Sequence, residues 1–198
     1  MVNGTNVRSG DLATSHAGIC KLLDLPDRNR AVAEIEQIFF ETSGTRQFES
    51  ERERAAFRER WLGRYLSHHP GETFVAVETG GIVGYLAGCL SDPTKSPLFA
   101  DISYFTTFAH LSKQFPAHLH INVTARCRGQ GIGARLIEAF ARHAADAGVP
   151  GMHVVTGEGA RNNRFYLAQG FERLCTTVWN GNRIAFFGRQ LQSKAEQP

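Results

Sequence analysis

A mixed α/β fold, one sheet carrying helices on both faces, is what the sequence predicts, and three observations predict it. Two hairpin signals stand far apart, at Thr79-Gly80-Gly81 and at Asn180-Gly181. Two helical patterns follow one another in the first third of the chain. A run of strand, glycine turn, helix, strand and short helix fills the second half. Alternation of this kind builds a mixed sheet and not a regular βαβ array. At ~150 residues per domain, the 198 residues make a single domain over 18–198, with 1–17 as a flexible, non-periodic tail.

Taken in order, residues 18–23 are a short first strand, ended by Asp24 and Pro26. A helix over 27–42 carries Val32, Ile35, Ile38 and Phe39 on one stripe, with Gly44 beyond its end. After a loop over 43–49, Ser50 and Glu53 form a capping box that opens a second helix. Phe57, Trp61, Leu62 and Tyr65 are its apolar face, and it fades near Pro70; its arginines 52, 54, 58, 60 and 64 read as a solvated face paired at i,i+4 with glutamates. Strands over 73–78 and 82–90 form the first hairpin. Residues 91–115, with two X-Pro pairs and many aromatics, read as a loop followed by a helix, stopped by Pro116. Strand 117–124, helix 130–147, strand 152–156, helix 161–169 and the hairpin strands 171–179 and 183–189 complete the chain.

Composition excludes several classes. The balance of 22 basic and 19 acidic residues gives +3, too little to argue for nucleic acid or an anionic membrane. No window offers the ~18 apolar residues of a membrane span, and the N-terminus lacks an apolar leader segment. Cys20, Cys89, Cys127 and Cys175 lie far apart without CxxC pairing, so neither zinc nor a disulfide framework is expected and no metal cluster is visible. A soluble protein of a reducing cytoplasm fits these numbers.

The sharpest feature is Arg126-Cys127-Arg128-Gly129-Gln130-Gly131-Ile132-Gly133, between a strand and an amphipathic helix. Glycines let backbone approach a ligand, and the unpaired amides of the first helical turn, backed by its dipole, attract an anion such as pyrophosphate. Arg126 and Arg128 add charge beside it. Two ligands compete. Gly129-x-Gly131-x-x-Ala134 fits the dinucleotide fingerprint, with Glu158 at a distance suited to a ribose, although the chain lacks further βαβ units. The other is coenzyme A.

Arg128-x-x-Gly131-x-Gly133, followed by Phe165-Tyr166-Leu-Ala-Gln-Gly170-Phe171, resembles the pyrophosphate loop and the "FY…GF" element of the GNAT superfamily of N-acetyltransferases. The likeness spans about 18–191 and is strongest over 119–171. The segment 116–123 is also similar, locally, to the acetyltransferase-like domains beside some O-GlcNAc hydrolases. The resemblance implies a central, mostly antiparallel sheet with helices on both faces, and acetyl-CoA as acetyl donor to a primary amine in a ternary complex. It implies that backbone groups of Val123 pair with the acetyl-pantetheine arm and supply an oxyanion donor. Amides of Arg128, Gly129, Gln130, Gly131, Ile132 and Gly133 would cradle the pyrophosphate, and Tyr166 would stand near the thioester sulfur. Asparagine is common in that family seven residues before this tyrosine; here the place is Gly159, with Asn162 and Asn163 nearby, and Asn162 is taken as a cofactor contact. A homodimer is common there.

Acetyl transfer needs an amine freed of its proton, donors for the oxyanion and a proton for the thiolate. Tyr166, with an ordinary pKa near ~10, is the acid candidate. On strand 117–124, Leu119, Ile121 and Val123 share one face while His118, His120 and Asn122 share the other. Three polar side chains on one face of a central strand predict that this face opens on a cavity, which makes His120 and His118 the base candidates. Glu41, Glu72 and Asp101 are acidic alternatives, and Phe39, Phe40, Phe48, Tyr104, Phe105 and Phe108 are candidates to line an acceptor site. The acceptor itself, a small molecule or a peptide amine, is not legible. Two rivals stand beside the enzyme reading: a non-catalytic acetyl-CoA-binding module of the same fold, and an NAD-type binding protein.

Overall fold

The computed structural model describes residues 17–45 and 47–192. Strand β1 (Gly18–Lys21) leads through a short turn to α1 (Arg28–Thr42), whose N-cap Asp27 accepts the Arg30 amide at 3.0 Å. Helices α2 (Glu51–Arg58) and α3 (Arg64–His68) flank a π turn, Glu59–Gly63, so the single helix expected here is one continuous body with a widened turn. Ser50 caps it as anticipated, accepting the Glu53 amide at 3.2 Å. Strands β2 (Thr73–Glu78) and β3 (Gly81–Cys89) form the first hairpin. The aromatic connection folds into 3-10 turns and two single-turn helices, α4 (Tyr104–Thr107) and α5 (Ala109–Ser112), where one helix was expected. Then come β4 (Ala117–Val123), α6 (Ile132–Asp146), β5 (Gly151–Gly157), α7 (Asn163–Ala168), β6 (Glu172–Trp179) and β7 (Asn182–Gln190).

One seven-stranded sheet runs in the order β1-β2-β3-β4-β5-β7-β6. Every neighbouring pair is antiparallel except β4–β5. That pair is in register at two positions only, Ala117 with Met152 and His118 with His153. On their other edges β4 pairs with β3 from His118 to Val123, and β5 pairs with β7 along its whole length. The two strands therefore part after His118 and His153, and a wedge opens in the middle of the sheet.

Each face of the sheet has its own core. Under α1, α3 and the aromatic connection lie Ile35, Leu62, Tyr65, Tyr85, Phe99 and Phe108, all fully buried. Under α6 and α7 lie Leu136, Ile137, Phe140, Met152 and Phe187. Gly88 is required by this second layer, because a Cβ there would stand 2.3 Å from the Phe140 ring. Most of the expected tail falls outside the described residues. Ala17, assigned to it, is instead part of the fold: it is buried and its carbonyl accepts from Arg135 Nη1 at 2.7 Å.

The arginines of the second helix are not the solvated face that i,i+4 spacing suggested. Arg58 pairs with Glu36 of α1, and Arg60 and Arg64 converge on Asp101 at 2.8 and 2.7 Å. Arg64 is itself buried and also donates to the Leu98 carbonyl. These contacts tie α2 and α3 to α1 and to the connection over the sheet. Among the described residues no helix is long and apolar enough to cross a membrane, and all four cysteines are free.

Candidate active site

The wedge between β4 and β5 continues into a cavity of about 800 Å³. Ile121, Asn122 and Val123 of β4 form one wall and Asn162, Phe165 and Tyr166 around α7 the other, with the glycine turn at one end. The turn owes its shape to Gly129 and Gly131, at φ +77° and +74°, left-handed values that residues with a Cβ reach at a cost of ~1–2 kcal/mol. The first backbone bond of α6 is Arg135 N to Gly131 O, so the amides of Ile132, Gly133 and Ala134 have no helical acceptor. Among the described residues nothing accepts the amides of Gly129, Gln130 or Gly131 either. Unpaired N–H groups thus gather at the positive end of a fifteen-residue helix, on the cavity wall.

Of the residues expected to hold a cofactor, Val123, Arg128, Gly129, Gly131, Ile132, Gly133 and Asn162 all line this cavity. Gln130 does not, its side chain turning back to donate to the Arg126 carbonyl at 3.2 Å. Arg128 Nε donates to Val123 O at 3.3 Å, which joins the turn to the end of β4. Arg126 pairs with Glu78 at 3.3 Å, so the charge beside the turn is Arg128 and not both arginines. Gly133 joins the two sequence motifs physically, since its missing Cβ leaves the Phe165 ring 3.1 Å from where that atom would be. Asn163 braces the β5–α7 loop: with its amide turned to satisfy both ends, its nitrogen donates to Gly157 O and its oxygen accepts from Gly159 N. Its neighbour Asn162 reaches Thr156 Oγ1, which donates at 3.1 Å. The spacing of the motifs gave no sign of these two brackets.

Tyr166 lies on the cavity wall with its ring against Phe165, Phe171 and Phe187, and burial pushes its hydroxyl up to about 12. Its hydroxyl makes no hydrogen bond among the described residues.

The polar face of β4 is not open as expected. His118 is sealed, 2% exposed between Phe99, Phe105 and His153, and shares a 2.9 Å hydrogen bond through Nδ1 with the Tyr65 hydroxyl. It does not border the cavity, and burial first of all holds it well below the usual histidine range. His120 is half-buried, edge-on to Trp61 and Tyr65, and lowered to about 4 by burial, then by Arg64 and His153. Asn122 alone of the three reaches the cavity, donating to Tyr85 Oη at 2.8 Å. The reason is a layer of aromatics that α3 and the connection lay over this face. Hydrophobic periodicity assigned those rings to their own elements and gave no sign of where they would meet. Trp61, Tyr104 and Trp179 close the layer beside His120, and Trp179 Nε1 donates to Ser103 Oγ at 2.9 Å.

The carboxylate alternatives are engaged elsewhere. Asp101 serves Arg60 and Arg64, Glu72 accepts the Leu90 amide at 2.9 Å, and Glu41 accepts from Gln37 at 2.8 Å. Phe105 and Phe108 are core, as is Phe39. Phe40 and Phe48 line a separate hollow of about 510 Å³ with Arg54, whose guanidinium sits 3.8 Å over the Phe40 ring. Glu158, the candidate ribose ligand, is bound by Arg183 and lies 3.6 Å from Arg173. With a largely antiparallel sheet around it, this turn is not the start of a Rossmann unit, and the dinucleotide alternative falls.

A sheet parted between its one parallel pair, with free amides at the mouth of the gap, is a site shaped for an extended ligand that ends in an anion. The chain belongs to the GNAT acetyltransferase family: the model of that family, described as Acetyltransferase (GNAT) family, matches residues 29–171. Among solved structures it is similar to SsHAT, at 20% identity and a TM-score of 0.67 over 88% of this chain and 98% of that one. PH1933 from Pyrococcus horikoshii OT3 is 15% identical, with a TM-score of 0.65 over 88% and 98%. A GNAT superfamily phosphinothricin acetyltransferase from Sinorhizobium meliloti, solved in complex with AcCoA, is 18% identical with a TM-score of 0.59 over 92% and 93%. At these identities the likeness is one of fold.

Proposed function

We propose that the protein is an N-acetyltransferase that moves the acetyl group of acetyl-CoA to a primary amine by direct attack within a ternary complex. One observation carries the reading: the β4–β5 wedge ends on a wall of unpaired amides at the start of α6. An extended pantetheine arm fits between two strands that have parted, where it meets strand-edge groups along Val123. The pyrophosphate fits the amides from Gly129 to Ala134, with Arg128 beside them. The solved relative that holds AcCoA has the same fold.

In this reading the Val123 N–H polarises the thioester carbonyl and stabilises the oxyanion as the amine adds. Tyr166 stays protonated at any working pH, its hydroxyl held near 12, and donates to the sulfur as the thiolate departs. His118 drops out as a base, being sealed by its aromatic neighbours. His120 is neutral at pH 7, yet a group that titrates near 4 is a weak base for an alkylammonium. The amine therefore reacts as the fraction already neutral, and its proton leaves through water. The reaction should accelerate with pH up to the pKa of the acceptor.

A second reading has an observation of its own: among the described residues no carboxylate and no histidine lines the cavity. A non-catalytic acetyl-CoA-binding module of the same fold would look like this. Thermal unfolding with acetyl-CoA, CoA and NAD in parallel, followed by thiol release across a panel of amines, tests both. At ~100 times its dissociation constant a ligand adds roughly 2.7 kcal/mol, a shift of several degrees. Shifts with the CoA species and thiol release with an amine support the enzyme. Shifts without release from any amine support the module. No shift with either CoA species overturns both.

A further inference from the structure

From the arrangement of His69, Glu72 and Cys89 we infer a zinc site that lies apart from the cavity and binds one divalent ion. His69 precedes and Glu72 ends the short turn Pro70–Glu72 between α3 and β2, and Cys89 is the last residue of β3. One donor atom from each, a ring nitrogen, a carboxylate oxygen and the thiol sulfur, lie within 4.8 Å of one another.

The geometry of the first pair already suits a metal. With ~2.0–2.1 Å bonds, two nitrogen or oxygen ligands of a tetrahedral zinc stand about 3.4 Å apart. His69 Nδ1 and Glu72 Oε2 are 3.4 Å apart. The sulfur needs a contraction of the order of 1 Å to reach its own edge of about 3.6 Å, within reach of small side-chain rotations. A nitrogen, an oxygen and a sulfur donor together select zinc over magnesium or calcium, which take oxygen.

The surroundings hold the donors in place. The Leu90 amide donates to Glu72 Oε2 at 2.9 Å, and Phe99 stacks on the His69 ring at 6.3 Å and 19°. Cys89 is 1% exposed, and its thiol makes only a long 3.7 Å contact to the Ser91 carbonyl. Burial raises Cys89 to about 11 and raises Glu72, while it lowers His69. The titratable groups nearby are Lys21, which acts on Glu72, and His68, which acts on His69.

The cluster is distinct from the acetyl-transfer site. Cys89 pairs with His118 and Gly84 with Val123, five residues further along β3. At ~3.4 Å per residue that is about 17 Å along the strand. The ion would pin the α3–β2 turn to the end of β3. On binding, the Cys89 thiol gives its proton to solvent and the thiolate takes the metal, so one proton is released per zinc.

The test is a titration of the full-length, chelator-treated protein with Co²⁺ as optical probe and Zn²⁺ as competitor. Binding of one equivalent should bring a thiolate-to-cobalt charge-transfer band, release about one proton and raise the melting temperature. Cys89→Ser should abolish the band. Because Cys89 is buried and that variant can misfold, the half-buried ligands supply the second arm. His69→Gln and Glu72→Gln, the latter keeping an acceptor for the Leu90 amide, should each weaken binding by ~10-fold or more. Absence of a band, a band that survives Cys89→Ser (metal held by Cys20, Cys127 or Cys175), or affinity unchanged in both glutamine variants overturns the assignment.

Discussion

Removing one oxygen from Tyr166 separates a catalytic role from a packing one. Its ring is 6% exposed and packed among Phe165, Phe171 and Phe187, whereas its hydroxyl has no partner among the described residues. Tyr166→Phe keeps the ring and all of its contacts. It deletes a hydroxyl that contributes no internal hydrogen bond, so the cost in stability is near zero. Tyr166 lines the cavity, so removing its hydroxyl strands no partner. At ~2–4 °C per kcal/mol, the melting temperature should stay within a few degrees of the parent. Turnover should behave otherwise. If the phenol donates to the departing sulfur, its loss removes ~10²-fold from kcat, about 2.7 kcal/mol of barrier. The assay is thiol release from acetyl-CoA with a saturating amine, beside a melt with and without CoA. A melting temperature lowered by many degrees with kcat unchanged would make Tyr166 a core residue and nothing more. A second readout comes from the same side chain: with the hydroxyl near 12, turnover should not decline from its ionisation below pH ~10.

Three further outcomes follow from the geometry. Gly131→Ala meets no atom within 4 Å, so its penalty is the left-handed backbone alone, ~1–2 kcal/mol; if the turn relaxes instead, CoA affinity should fall ~5–30-fold by calorimetry, and an unchanged affinity would separate the turn from the pyrophosphate. Arg64→Leu strands the Leu98 carbonyl and leaves Asp101, which keeps access to water, with Arg60 alone, so a loss of about 2–3 kcal/mol is expected in urea unfolding. Acid should destabilise the fold between pH ~6.5 and ~4. Burial first of all lowers His153 from 6.5 to about 4, so below 6.5 the unfolded chain takes up the proton that the folded chain refuses. Stability from this group is full above 6.5 and lost as pH falls, by up to about 3 kcal/mol; His153→Gln should make that slope shallower, with His118 and His120 supplying the remainder, and an unaltered slope would acquit His153.

Local chemistry made most of the fold readable from the sequence. Ser50 caps the helix it was expected to cap, Asn180 at φ +47° and Gly181 at +75° turn the last hairpin, and Gly129 and Gly131 adopt the left-handed backbone. These signals are short-range, a few residues wide, and so survive in one dimension. What failed was long-range. The alternation His118–His120–Asn122 was correctly assigned to one face, but whether that face meets water depends on Trp61, Tyr65, Phe99 and Phe105 arriving from other elements. Periodicity states which side a residue is on and not what covers that side. The arginines of the second helix misled for the same reason, since Glu36 and Asp101 are partners from α1 and the connection. Residues 91–115 were obscure because their rings are shared among single turns with no periodicity of their own.

The parting of β4 and β5 also bears on how the chain survives in solution. Residues 119–123 and 154–157 face one another across the gap without registered partners, so the sheet carries two raw edges in its interior. Natural proteins blunt or cover such edges because they template pairing with other chains. Here nothing in the registered pairing covers them, and a molecule threaded between them would supply the missing rung of the ladder. In the proposed reading that molecule is the acetyl donor, which then doubles as a piece of the scaffold. How much of the protein stays unaggregated and undegraded would then depend on how much CoA the surrounding solution holds, and preparations stripped of it should aggregate sooner and exchange their amide hydrogens faster along these two strands.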